Sequence, residues 1–210
     1  MSGLNSFDKI LYVNLAHRAD RNERVLSELS KFSIQKEKII RIDAHYTPLN
    51  GHKGCCLSHM KALTYAVNHN LNNVLILEDD VVFEHSLLEV CKYINYFFDN
   101  IEAWDVFFLS TRVLAKSETR FSEIFRVTCA QTSHAYAINN HYFKKLYKCY
   151  ERCYKKMEDD VFFIQSKEYC LDQEWKKLQK KDKWYIGASP IARQGRSVSD
   201  IELEVTDKPF

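Results

Sequence analysis

Three features of this sequence predict an α/β fold with a mostly parallel central sheet flanked by helices. Apolar runs without alternation, above all Val74–Leu77 (VLIL), read as short strands buried on both faces. Segments of helical periodicity lie between them in the order β-α-β-loop-α-β, which favours right-handed crossovers and parallel pairing. Finally, three carboxylates, Glu78, Asp79 and Asp80, follow the VLIL strand directly. In open α/β sheets, ligands bind just outside the carboxyl ends of such strands.

The elements follow in order. Lys9–Leu15 (KILYVNL) is the first strand, and a polar, Arg-rich turn over Ala16–Arg24 leads to Val25, Leu29 and Phe32 at helical spacing. Lys38–Ile42 (KIIRI) is a second short strand, closed by Asp43 and a loop carrying Pro48 and Gly51. Gly51–Gly54 reads as a turn, and Leu57–His69 as a helix capped by Ser58 or by the loop before it. Asn70–Asn73 ends that helix and leads into the acidic strand. Leu87–Phe98 is an amphipathic helix, Trp104–Leu109 a buried strand, and Val113–Glu123 a loop or edge hairpin. Thr128–Ile138 reads as a strand and His141–Lys156 as a helix with Phe143, Leu146, Tyr147, Tyr150 and Tyr154 on one side. A short helix over Asp172–Leu178, a strand over Lys183–Ile186 and a loop-like tail from Ser189 complete the chain. With neither internal repeat nor low-complexity linker, residues 1–210 are expected to form one domain.

Composition narrows the function. The 210 residues are 46% hydrophobic and 28% charged, with a net charge of +2, so no basic field points to nucleic acid. No run approaches the roughly 18 apolar residues that span a bilayer. The first residues lack a basic region followed by an apolar core, so no signal peptide is expected. The seven cysteines form no C-x₂-C pair and are expected to be free thiols, which with the absent leader suggests a cytoplasmic location.

The acidic triplet suggests chemistry. Adjacent carboxylates repel unless something positive sits among them, and hard oxygen ligands suit Mg²⁺ or Mn²⁺, ions that also hold substrate phosphates. If strand geometry persists, Glu78 and Asp80 share one face and Asp79 points to the other. A plain solvated acidic loop is the alternative. Asn14 ends the first strand and is placed for a nucleotide. Arg18 and Arg21 are either solvated helix-start residues or bidentate phosphate ligands. His59 is either a core histidine or a donor-side contact, and His134 stands where a strand of small residues begins. Asp172 reads as a helix N-cap or as a general base. The Lys144–Lys156 segment fits a packed helix face, or contact with an anionic acceptor or membrane surface.

Read together, these blocks resemble glycosyltransferase family 25. Tyr12-Val13-Asn14-Leu15 with Arg18, Asp20, Arg21 and Arg24 looks like the family's opening, and Gly51-x-x-Gly54-Cys55-x-Leu57-Ser58-His59 resembles its G-x-x-G-C-x-L-S-H block. Leu75–Asp80 is similar to its LILEDD block, and Trp104-Asp105 and His134–Ile138 match later ones. Pro190, Gln194 and Ser199-Asp200-Ile201 look like the ending of the collagen galactosyltransferase branch.

The resemblance implies a GT-A fold with a Rossmann-like sheet, a UDP-sugar donor and inverting transfer of galactose or glucose, assisted by Mn²⁺ or Mg²⁺. The acceptor hydroxyl would belong to a glycan, a lipooligosaccharide or a hydroxylysine of a collagen-like protein. It would assign Asp80 to the metal with Glu78 and His134 nearby, and Glu78 or Asp79 to the ribose. Asn14, Arg18, Arg21, His59 and Gln194 would serve the donor. Asp172 and Asp200 are the candidates for the catalytic base; Asp172 is preferred, with Asp200 then a further donor- or metal-side ligand. A binding module of the same fold without catalysis is the competing expectation.

Overall fold

The computed structural model of the chain describes residues 2–158 and 166–195, together with the backbone of 197–198 and 205–206. Its central sheet has six strands in the order β2-β1-β3-β6-β5-β7. These are β1 (Lys9–Asn14), β2 (Ile39–Asp43), β3 (Asn73–Glu78), β5 (Val106–Glu118), β6 (Ile124–Asn139) and β7 (Trp184–Gly187). β1 pairs in parallel with β2 and β3, and β7 in parallel with β5; only β6 runs against its neighbours in the sheet. The expected α/β architecture with a mostly parallel sheet is therefore what the chain adopts.

Alternate residues of each strand enter two separate cores, as expected of a sheet covered on both faces. Leu11, Val13, Val74, Ile76, Val106 and Phe108 face α2 (Gly51–Asn68) and α4 (Phe143–Lys156). Ile10, Tyr12, Leu75, Leu77, Phe107 and Leu109 face α1 (Ala19–Ser30) and α3 (Leu87–Asn100). The register places Val13 beside Glu78 and Asn14 beside Asp43, so the carboxyl ends of β1, β2 and β3 finish level. Those ends form the floor of the site.

Four local expectations need correction. Gly51–Gly54 is not a turn but the first turn of α2, because the Asn50 side chain caps the helix by accepting from the Lys53 N–H at 3.0 Å. Ser58 is not the cap: its hydroxyl donates to the Gly54 carbonyl at 2.6 Å and accepts from the His45 N–H at 2.8 Å. β5 continues through the segment read as a loop or edge hairpin as far as Glu118, and β6 begins at Ile124. Much of that stretch is polar because β5 is exposed from Leu114 to Glu118. The start of β6 curls back to pair with β7, so three strands close partly on themselves. The tail holds strand as well as loop: β8 (Ala192–Gln194) pairs antiparallel with β4 (Val81–Phe83), and β9 (Ser197–Val198) with β10 (Val205–Thr206).

The short helix expected over Asp172–Leu178 is two single turns, α6 (Leu171–Glu174) and α7 (Lys176–Gln179), pinned by the fully buried Trp175, and a further turn, α5 (Ser166–Tyr169), precedes them. Tyr147, Tyr150 and Tyr154 of α4 pack into the core beside the buried Cys149 and Cys153, so this helix has a packed face. Each of the seven cysteines is a free thiol, as expected. Among the described residues, no helix is long and apolar enough to cross a membrane.

Candidate functional site

A cleft opens above the ends of β1 and β3, lined by Arg21, the 44–47 loop, Gly51, Cys55, Ser58, His59, the acidic triplet and Gln194. Its volume of about 90 Å³ suits an ion with its waters; a sugar nucleotide would extend into the open mouth. The cleft exists because Gly54 lets the 44–47 loop approach α2. A Cβ at Gly54 would lie 2.5 Å from the His45 carbonyl and would also strike the Thr47 side chain.

Each carboxylate of the triplet has its own surroundings. Asp79 turns toward α1, where Arg21 Nη1 donates to it at 2.9 Å and Asn14 Nδ2 at 2.7 Å. Burial raises its pKa, with Arg21 and Asn14 pulling the other way. Glu78 turns toward α2 and accepts from the Ser133 hydroxyl at 2.5 Å, with His59 Nε2 3.5 Å away. Burial opposes ionisation of Glu78, but His59 and Ser133 outweigh it and hold the carboxyl down to about 2.

Asp80 is the third case. Its Oδ2 accepts from Gln194 Nε2 at 3.0 Å, while its Oδ1 is buried with no hydrogen-bond partner among the described residues. Burial, reinforced by the charge on Glu78, pushes the Asp80 carboxyl up to about 7; Arg21 pulls it down. The backbone around it is fixed by the Gly195 N–H, which donates to the Asp80 carbonyl at 2.6 Å. A side chain at Gly195 would lie 2.8 Å from that oxygen, so this approach requires glycine.

The residues singled out from sequence separate into those lining the cleft and those beneath or beside it. Arg21, His59, Glu78, Asp79, Asp80 and Gln194 line it together. Asn14 is not among the lining residues: it is 1% exposed, donates to Asp79 and to the Arg18 carbonyl, and accepts from Arg41 at 2.9 Å. Arg18 holds Asp20 through two hydrogen bonds and is not among the lining residues. His134 is fully buried and outside the cleft, and neither ring nitrogen has a hydrogen-bond partner among the described residues. Burial lowers its pKa to about 4, although Glu78 opposes that shift.

Asp172 is not an N-cap. It lies within the first turn of α6, where its carboxylate accepts from the Thr132 N–H at 2.9 Å and from the Cys170 thiol at 3.0 Å. Thr132, within β6, has φ +77°, a conformation a β-branched residue rarely adopts, and this strained residue stands directly before Ser133 and His134. Asp200 lies outside the described residues.

Sequence reasoning missed Cys55. Among the described residues, the His, Cys, Asp and Glu side chains whose ligand atoms gather within 4.8 Å are Cys55, His59 and Glu78, a set without Asp80 or His134. The i,i+4 spacing of Cys55 and His59 on α2 was the available signal. Ser133 and Tyr136 were missed too; the Tyr136 hydroxyl lies 2.7 Å from His59 Nδ1.

Comparison with known proteins adds relatives to this geometry. The family model described as glycosyltransferase family 25 (LPS biosynthesis protein) matches residues 31–162. Human procollagen galactosyltransferase 2 is 26% identical over 140 residues, 53% of this chain and 22% of that protein. The human inactive glycosyltransferase 25 family member 3 is 26% identical over 134 residues, 50% of this chain and 22% of that one. The matched region thus spans about a fifth of these relatives' length. Among solved structures, a glycosyltransferase involved in glycosylation of the major capsid of PBCV-1 superposes with a TM-score of 0.44 at 9% identity, covering 85% of this chain and 93% of that one.

Proposed function

This chain belongs to glycosyltransferase family 25, and on that premise we propose that it moves a hexose, galactose or glucose, from a UDP-sugar to an acceptor hydroxyl with inversion. The acceptor is a glycan, a lipooligosaccharide or a hydroxylysine of a collagen-like protein, classes suggested by the family description and by the procollagen galactosyltransferase relatives. One observation carries the reading: the buried Oδ1 of Asp80 at the floor of the cleft, which has no hydrogen-bond partner among the described residues. A buried carboxylate oxygen with no donor is costly unless a cation meets it, so the residues present fit Mn²⁺ or Mg²⁺. When bound, such an ion offsets the charge that builds on the diphosphate as the glycosidic bond breaks.

The chain's own groups account for the remaining steps. Gln194 orients Asp80 by donating to its other oxygen, and Arg21 lines the same cleft with a positive charge. Asp172 accepts the proton of the acceptor hydroxyl as its oxygen bonds to the anomeric carbon. The electron pair of the broken bond leaves with UDP. A single displacement of this kind inverts the anomeric centre.

The test is UDP release from a panel of UDP-sugars, with and without Mn²⁺, for the wild type and Asp80→Ala. Loss of roughly 10²–10³ in rate is expected for Asp80→Ala, as for other groups that stabilise developing charge. Turnover without metal, or an Asp80→Ala variant as active as wild type, sinks the assignment. A second reading, a module that binds the donor without transfer, is favoured by the relative named inactive. Metal-dependent UDP binding without turnover would establish it. Asp172→Asn is expected to keep UDP affinity and lose transfer; the reverse pattern removes Asp172 from the role of base.

A further inference from the structure

We propose that Cys55, His59 and Glu78 form a site for a thiophilic divalent cation of the Zn²⁺ class, separate from the ion assigned to Asp80. Their ligand atoms already lie within 4.8 Å of one another, and His59 Nε2 is 3.5 Å from Glu78 Oε1. Zinc bonds of about 2.0–2.3 Å in a tetrahedron require ligand atoms roughly 3.3–3.8 Å apart, so about 1 Å of closure completes the site.

Two further features point to a ligand. His59 is fully buried, yet its Nε2 has no hydrogen-bond partner among the described residues. Its other nitrogen is held by the Tyr136 hydroxyl at 2.7 Å, which is itself 3.1 Å from the Tyr150 hydroxyl. A ring fixed through one nitrogen, with the other aimed at a thiol and a carboxylate, is how metal-binding histidines are oriented. Ser133 fixes Glu78 in the same way.

The donor set selects the metal. One sulfur, one imidazole nitrogen and one carboxylate oxygen suit Zn²⁺, whereas Mg²⁺ and Mn²⁺ prefer all-oxygen sites such as that at Asp80. Three protein ligands leave a fourth position, and because all three residues line the cleft, it opens toward a bound oxygen ligand. The site joins the first turns of α2 to the end of β3. It does not depend on the donor or acceptor proposed above.

Co²⁺ reports thiolate ligation through a sulfur-to-metal charge-transfer band, and Zn²⁺ displaces it. The full chain, stripped with chelator, is expected to bind one Co²⁺ with this band. Cys55→Ser is expected to abolish the band and weaken Zn²⁺ binding at least about tenfold, while Cys129→Ser and Asp80→Asn retain both. A second measurement needs no variant: Zn²⁺ is expected to slow alkylation of Cys55 but not Cys129, read by mass spectrometry. An unchanged band in Cys55→Ser, its loss in Asp80→Asn, or equal alkylation of Cys55 with and without Zn²⁺ overturns the proposal. Asp80→Asn also separates the two readings, since it removes the hard-ion ligand and leaves the thiolate set intact.

Discussion

Asp80 and Glu78 stand two residues apart in sequence but are shifted in opposite directions. The Asp80 carboxyl, raised from 3.8 to about 7, keeps its proton in the folded chain where the unfolded chain has lost it. Its contribution to stability therefore falls as pH climbs from about 4 to 7 and levels off above that. Glu78, held down to about 2, contributes stability that is complete above its ordinary 4.5 and is lost as pH falls toward 2. From about pH 4 to 6.5 the buried His134, held down to about 4, contributes an opposing rise, so the Asp80 fall emerges net only toward pH 7. Asp80→Asn should remove it and stabilise the metal-free chain at pH 8 by up to roughly 4 kcal/mol, an advantage that fades toward pH 4 in urea unfolding. Asp79→Ala should do the opposite. It strips a buried arginine and a buried asparagine of their shared acceptor, at a cost on the order of 3–5 kcal/mol in the same assay. Strand geometry does not persist through the triplet: β3 ends at Glu78 and Asp79 and Asp80 form a turn, so the expected alternation does not carry past Glu78, although Asp79 does face α1 and Glu78 α2. The partner of Asp79, Arg21, was not assignable, because 58 residues separate the two and no local pattern encodes such a contact.

At the scale of elements, α2 and the β5–β6 hairpin show where local signals mislead. Two glycines three residues apart suggested a turn, yet the Asn50 cap and the close approach of the 44–47 loop make Gly51–Gly54 helical. Gly54→Ala should destabilise the chain by about 1–3 kcal/mol, since the new methyl meets backbone that must move. It should also weaken UDP binding, because the loop displaced is one wall of the cleft; unchanged affinity measured by calorimetry would argue against that wall touching the donor. β5 was legible only over its buried half. Beyond Thr111 it is largely exposed, so its hydrophobic pattern stops while its backbone pairing with β6 continues.

Across the whole molecule, the two-sided burial of β1 and β3 made the fold class readable: continuous apolar runs arise only where helices cover both faces. Pairing that brings distant segments together was not readable, and the β6–β7 closure and the β4–β8 pair both belong to that class. Hydrogen exchange should follow the same division. Amides of β1 and β3 should exchange only with global unfolding, and those of residues 114–118 far sooner; equal protection would mean that the exposed half of β5 is as firmly held as the centre. The β4–β8 pair has a kinetic consequence. Gln194 meets Asp80 across 114 residues of chain, whereas β1, β2 and β3 assemble from neighbouring segments. Closing so long a loop comes late in folding. A nascent chain emerging from the ribosome can thus pair β1, β2 and β3 well before Gln194 is available, so the turn that carries Asp80 is finished only once β8 has docked on β4.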